Sequence, residues 1–386
     1  MKKVLCINTG GKGNLHGLRM RRLTSSLDAQ AIYYDVDRTV SRAAASRAVW
    51  RLLTASKWDL VYQEGSGLAG GVNLIRAAIA HKQPFIVSSG DPIGGYFQVT
   101  KGSLAGQVFT AYEKMLYRTC TAFVGWTPYL TGAALNLGAR RAITIEGAVD
   151  LSIFSQQSYT EQLATRARYH IPAEHLVCGV VGSLNWNDQQ LYCYGLELIE
   201  SLKLLKRTDV SMLIVGDGEG KSKLEAAIPA ALRSRVIFTG RLSELEVVSA
   251  MNAMDIGFVT QTLDQLGSYR LTTKLPEYLA CGLPIAMSPI PGFYDYVVPA
   301  GWALPPYHPA SREFHQRCAD WLDRLTMNEV KQRSSYAVDI ARRSFDYGKL
   351  SAKFCNFVDE LLRSDSSLLS VQKSHAESHE SIQTVH

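Results

Sequence analysis

Residues 175–288 alternate short apolar runs with helix-length segments, and this alternation constrains the fold more than any other feature. The runs are His175–Ser183 (HLVCGVVGS), Val210–Gly218 (VSMLIVGDG), Arg235–Leu242 (RVIFTGRL), Asp255–Thr260 (DIGFVT) and Leu283–Met287 (LPIAM). Each has an apolar centre and reads as a strand, and Leu283–Met287 is apolar enough for a strand buried in a parallel sheet. The segments Tyr194–Lys206, Ser222–Leu232 and Leu245–Met254 read as the helices between them. Strand and helix in strict alternation imply a doubly wound sheet. Such sheets bind ligands outside the carboxyl ends of their strands. Here those ends carry Gly182-Ser183, Gly216-Asp217-Gly218 and Gly240-Arg241.

Ser268–Ser288 (SYRLTTKLPEYLACGLPIAMS) is the segment richest in chemistry. It reads as a loop, a short helix, and a buried strand. Thr272 and Thr273 are the N-cap candidates, and Cys281-Gly282 closes the helix. Free N–H groups and the dipole at a helix start favour anions. Lys274 opposes that dipole, which makes sense if an anion visits. Glu277 lies three residues on, near the same helical face. Cation plus carboxylate suits a nucleotide diphosphate and its ribose hydroxyls. The same spacing also suits a solvated ion pair worth a few tenths of a kcal/mol.

The first half repeats the pattern. A glycine-rich turn (Asn8-Thr9-Gly10-Gly11-Lys12-Gly13) follows the first strand, and Trp58–Tyr62 reads as another strand. Glu113–Arg118 precedes a strand at Ala122–Gly125.

The ordered motifs VGS, VGDG, RVIFTGRL and KLPEYLACGLPI resemble the donor-binding domain of glycosyltransferase family 4. Leu137-Gly138-Ala139 to Asp150 resembles that family's domain-joining segment. The resemblance covers about residues 1 to 360. It implies the GT-B fold: α/β, two Rossmann-like doubly wound domains facing a central cleft, with a C-terminal helix crossing back to the first. The corresponding boundaries are 1–155 for the acceptor-side domain, 156–337 for the donor domain and 338–362 for the crossover helix. The Ser-, His- and Glu-rich stretch 363–386 is expected to be a disordered tail.

The resemblance implies transfer of a sugar from a nucleotide-sugar to a glycan, lipid-linked or small-molecule acceptor. It implies retention of configuration, with no cofactor and no metal. Glu277 would take the ribose hydroxyls. Lys274, the turn at Thr272 and Thr273, and the Gly10-Gly11 backbone would face the diphosphate. Ser183 and Gly216 would complete the donor site, with Arg241 either contacting phosphate or capping the strand end. Asp91 would contact the acceptor or the reacting sugar, or cap the turn before Pro92. Glu64 reads as a solvated loop residue, with the acceptor site as the other option.

Four positions depart from the family pattern. Tyr269 stands where an acidic residue eight positions before Glu277 is usual. Ser183 replaces a basic residue, and Asn187–Gln190 lacks a lysine. Val87-Ser88-Ser89-Gly90-Asp91-Pro92 contains no histidine. These departures keep open a catalytically degenerate GT-B partner protein. A GT-B sugar-nucleotide epimerase is a further alternative. A dinucleotide-binding enzyme is disfavoured, because GGKG lacks the GxGxxG spacing.

Length and composition fit this class. A chain of 386 residues with 46% hydrophobic content suits two ordinary domains. No apolar run reaches 18 residues, so no spanning helix is expected. The start reads as a strand rather than a signal peptide. Seven scattered cysteines without CxxC spacing read as reduced core residues of a cytoplasmic protein. Residues 1–150 carry 18 Lys and Arg against 9 Asp and Glu. That excess, including Arg19, Arg21, Arg22, Arg42, Arg47 and Arg51, fits an anionic acceptor or peripheral contact with an anionic membrane. A solvated helix face is the simpler reading of the same residues. No nucleic-acid-binding module is present.

Overall fold

The computed structural model describes residues 1–188 and 190–380, with side chains to residue 363. Two compact units divide the chain: Met1–Ile145 with the chain from Tyr347 onward, and Glu146–Asp346.

The first unit runs β1 (Lys3–Asn8), α1 (Leu15–Leu23), β2 (Gln30–Asp35), α2 (Arg42–Ala55), β3 (Leu60–Glu64), α3 (Leu68–His81), β4 (Phe85–Ser89), α4 (Ile93–Lys101), α5 (Ser103–Thr119), β5 (Ala122–Gly125), α6 (Pro128–Asn136) and β6 (Ala142–Thr144). All its strand pairs are parallel, in the order β2-β1-β3-β4-β5-β6. Near-continuous burial of β1, β3, β4 and β5 follows from their Val, Ile, Leu and Phe content.

The second unit runs α7 (Tyr159–Arg168), β7 (Leu176–Val181), α8 (Leu196–Leu202), β8 (Val210–Val215), α9 (Lys221–Ala227), β9 (Val236–Gly240), α10 (Glu244–Asn252), β10 (Ile256–Val259), α11 (Lys274–Ala280), β11 (Ile285–Met287), β12 (Gly301–Ala303), α12 (Arg312–Arg324) and α13 (Met327–Ser344). Its parallel sheet has the order β12-β11-β10-β7-β8-β9. Successive strand residues face opposite sides. Val177, Leu213 and Val215 join one core, while Cys178, Met212 and Ile214 join the other.

Two expected helices are shorter than their sequence pattern, and a third is split in two. Gly195 takes a left-handed conformation with φ 98° and delays α8 to Leu196. Ile228, before Pro229, is extended and ends α9; a 3₁₀ turn follows at Ala230–Arg235. The amphipathic stretch 338–362 is two helices, broken where Val149 N–H donates to Phe345 O. The second of these, α14 (Tyr347–Glu380), belongs to the first unit. There it packs by Leu350, Phe354 and Val358, with Ser351 Oγ donating to Leu23 O at 3.0 Å. The chain leaves the first unit at Ile145, ten residues earlier than the sequence boundary. Of the expected tail 363–386, the side chains beyond 363 and all of 381–386 lie outside the described residues.

The seven cysteines are free and buried. Among the described residues no helix is long and apolar enough to cross a membrane.

Candidate functional site

In the second unit the strand order reverses between β7 and β10, which marks the ligand-binding edge of an open sheet. Glycine turns shape that edge. Gly216 has φ 141°, and a Cβ there would lie 1.9 Å from Gly182 O, so only glycine fits. Gly182 N–H donates to Val215 O and Gly216 N–H to Gly240 O. Ser183 and Arg241 follow these turns as exposed residues. Arg241 makes no ion pair among the described residues.

Lys274 opens α11, and its Nζ stands 2.6 Å from Glu277 Oε2. The two side chains are 29% and 14% exposed, so this is a half-buried pair. Burial pushes the Glu277 carboxyl above its ordinary range, and the Lys274 charge pulls it back. Thr273 occupies the N-cap position in helical conformation and makes no capping bond. Instead the Thr272 hydroxyl accepts from Lys274 N–H at 3.3 Å. Tyr278, next to Glu277, accepts from Val181 N–H at 2.7 Å through its hydroxyl. That bond ties α11 to the carboxyl end of β7.

Sequence reasoning missed several residues at this edge. Glu197 is fully buried and accepts from Thr260 Oγ1 and Gly195 N–H, each at 2.9 Å. Ser288 Oγ accepts from Gln261 N–H and donates to Gln261 O, both at 2.8 Å. Lys223 Nζ lies 4.3 Å over the Trp186 ring and 3.3 Å from Asp188 Oδ1. A cation from α9 therefore reaches the very loop where the sequence lacks one. Apart from the local Gly195–Glu197 bond, these contacts join distant segments, so no short-range pattern signals them.

In the first unit, Asn8 braces the glycine turn. Its side chain donates to Gly11 O and accepts from Gly10 N–H. Gly11 has φ 90°, and Gly10 packs against Asn14. Asp91 follows β4, with Ser89 Oγ donating to its carbonyl at 2.7 Å. The cap of α4 comes from elsewhere: Glu113 accepts from Ile93 N–H at 2.7 Å and Gly94 N–H at 2.9 Å. Burial raises the Glu113 carboxyl, and these N–H bonds oppose the rise.

Glu64 corrects the sequence expectation outright. It is the last residue of β3 and wholly buried, not a solvated loop residue. Ser88 Oγ donates to it at 3.0 Å, Trp126 Nε1 at 3.2 Å, and the Tyr62 hydroxyl also donates. Arg19 is buried beside it, its Nε 3.7 Å away. Arg19 is thus no part of an exposed basic face. Arg21 pairs with Asp35 at 2.7 Å, and Arg22 lies over Tyr347. Arg42, Arg47 and Arg51 are exposed along α2.

No group of three or more His, Cys, Asp or Glu among the described residues is arranged to hold a metal.

Comparison with known proteins defines the class first. The structure is similar to Anabaena HepE in complex with UDP-glucose, with TM-score 0.71 and 17% identity over 93% of this chain and 100% of that one. It is similar to sucrose-phosphate synthase from Thermosynechococcus elongatus, with TM-score 0.71 and 13% identity over 94% and 100% of the two chains. The fold is the two-domain α/β GT-B fold, as the resemblance implied. Within it, residues 175–323 match the family model described as Glycosyl transferases group 1, so the second unit carries a domain of that group. A 2-deoxystreptamine glucosyltransferase of Streptomyces kanamyceticus is 27% identical over 193 residues, 49% of this chain and 48% of that protein. A 2-deoxystreptamine N-acetyl-D-glucosaminyltransferase of Streptomyces fradiae is 34% identical over 85 residues, 22% of this chain and 19% of that protein. The chain thus spans about half or less of the length of these curated relatives.

Proposed function

We propose that the protein is a family 4 glycosyltransferase that moves a sugar from a nucleotide-sugar to an acceptor with retention. The observation that carries this reading is the Lys274–Glu277 pair. It sits within the matched domain, on a helix tied to the carboxyl end of β7.

In this reading Glu277 accepts hydrogen bonds from the donor ribose. Lys274 then turns from Glu277 to the diphosphate. Breaking the sugar–phosphate bond leaves positive charge on the sugar and negative charge on the leaving diphosphate. A fixed cation beside that diphosphate lowers the barrier, and one such donor is typically worth about 10²–10³ in rate. Gly216, Ser183, Arg241 and the Thr272–Thr273 turn complete the donor surface. Gly10 and Gly11 offer a close backbone approach on the first unit, which takes the acceptor together with Asp91. The reaction proceeds without a metal. HepE was solved with UDP and with UDP-glucose, which makes uridine donors the first to test. The exposed arginines of α2 support docking on an anionic membrane surface as a further part of the reading, checked by sedimentation with anionic and neutral liposomes.

The test is a thermal-shift panel of UDP, GDP, ADP, CMP and dTDP with their sugar conjugates, with and without EDTA. A ligand at 100 times its dissociation constant stabilises by about 2.7 kcal/mol. A shift with one nucleotide class, unchanged by EDTA, is expected. No shift with any of them would favour a degenerate partner protein. Turnover of the nucleotide-sugar without acceptor into its epimer would favour the epimerase.

A further inference from the structure

The first unit holds a second polar constellation, and it too sits at a topological switch point. The order β2-β1-β3-β4-β5-β6 reverses between β1 and β3. The crevice outside those two strand ends is where open parallel sheets take ligands. Glu64 ends β3 there, and His16 lies in the first turn of α1. A Cβ on Gly65 would meet His16 Nδ1 at 3.5 Å, which places the imidazole over the end of β3.

His16 is held in a specific way. Its Nδ1 is buried, lacks a hydrogen bond among the described residues, and lies 3.9 Å from Glu64 Oε1. Its ring tilts against Trp126 with centroids 5.6 Å apart. Trp126 in turn donates to Glu64 and packs under Gly90, beside Asp91. Yet 38% of the His16 side chain is exposed. Since Nδ1 is buried, the exposed edge is the one bearing Nε2. Glu64 already receives Ser88, Trp126 and Tyr62, with Arg19 alongside, so its place in the core does not depend on His16. A distance of 3.9 Å is too long for a hydrogen bond, but such contacts in unliganded sites tighten when ligand binds.

We propose that His16 is a hydroxyl-binding residue of the transfer reaction. Its Nδ1–H is oriented by Glu64, and its Nε2 accepts from a hydroxyl of a sugar ligand. This tautomer follows from the carboxylate at Nδ1, since an N–H facing a carboxylate fixes which nitrogen is left to accept. The inference rests on the transferase reading. That hydroxyl belongs either to the acceptor or to the donor's sugar, and the two sources give different kinetics.

The experiment compares wild type with His16→Phe and His16→Gln. Phenylalanine keeps a ring against Trp126 and removes both nitrogens. Glutamine keeps a hydrogen-bonding group. Melting temperature, nucleotide thermal shift, donor hydrolysis without acceptor, and transfer with acceptor are measured for all three. Both variants are expected to melt like wild type and to keep the nucleotide shift of the second unit. His16→Phe is expected to lose about threefold to tenfold in kcat/KM, the worth of one hydrogen bond. His16→Gln should recover part of it. Loss of transfer with hydrolysis intact assigns the hydroxyl to the acceptor; loss of both assigns it to the donor sugar. Wild-type transfer and hydrolysis in His16→Phe would overturn the inference and leave the ring as packing for Trp126. A wild-type protein that neither shifts with nucleotide nor turns over any donor would instead sink the transferase reading, and this inference with it.

Discussion

At the scale of single residues, Lys274 and Glu277 are the sharpest case of competing effects. In a 2.6 Å pair with side chains 29% and 14% exposed, the cost of taking both charges out of water offsets much of their attraction. The pair's value lies in keeping a cation and a carboxylate at a ligand-binding edge. Lys274→Ala should lower transfer at least about tenfold while the protein still folds, with a melting temperature lowered by the loss of the partner of Glu277. Steady-state kinetics and a melt check both halves, and unchanged transfer would remove Lys274 from the diphosphate site. Glu197 makes a different prediction. Burial raises its carboxyl above the ordinary 4.5, against the pull of the Thr260 and Gly195 bonds. The native state then holds this proton more tightly than the unfolded chain. Its contribution to stability is complete below about pH 4.5 and is lost as pH rises through the native value. Glu197→Gln removes the titration; its amide oxygen can still accept from Gly195 N–H, while its NH2 donates to the Thr260 hydroxyl. Its melting temperature should fall less than wild type between pH 5 and pH 8, and an identical slope would show that Glu197 does not titrate there.

At the scale of elements, two long-range contacts set local structure that propensity leaves open. Helix α4 begins after Asp91-Pro92, and its first donors are met by Glu113 on α5. Glu113→Ala leaves those N–H groups buried without an acceptor and should cost about 2 kcal/mol in urea unfolding. An Asp91 cap would predict the opposite, with Glu113→Ala harmless. The β8 edge is stricter still. Gly216→Ala would set Cβ 1.9 Å from Gly182 O, a backbone atom that cannot move without opening the sheet. Loss of folded protein on expression is the expected result, read by soluble yield.

At the scale of the whole molecule, each unit has its own sheet and its own buried core. Separate cores make departure from a single two-state transition the expectation. Calorimetry should resolve more than one transition, and a bound nucleotide diphosphate should raise the one belonging to Glu146–Asp346. A single transition raised as a whole would show that the two cores unfold as one.

The sequence by itself determined what depends on near neighbours. Apolar runs split by helix-length segments specified two parallel sheets. Glycines marked the turns at Gly10-Gly11, Gly182, Gly216 and Gly240. The spacing of Lys274 and Glu277 placed an ion pair on one face of a short helix. Tertiary structure alone decided what depends on residues far apart in the chain. Glu64 looked like a solvated loop residue until Trp126, 62 residues away, and Ser88, 24 away, closed over it. The hydroxyl of Tyr278 reaches Val181 across 97 residues. Arg19 counted toward surface charge until the fold buried it beside Glu64. Periodicity reports which face of an element is apolar, because that pattern is local. Which polar atoms meet in the interior depends on how elements are ordered in the sheet, and no window of sequence contains that order.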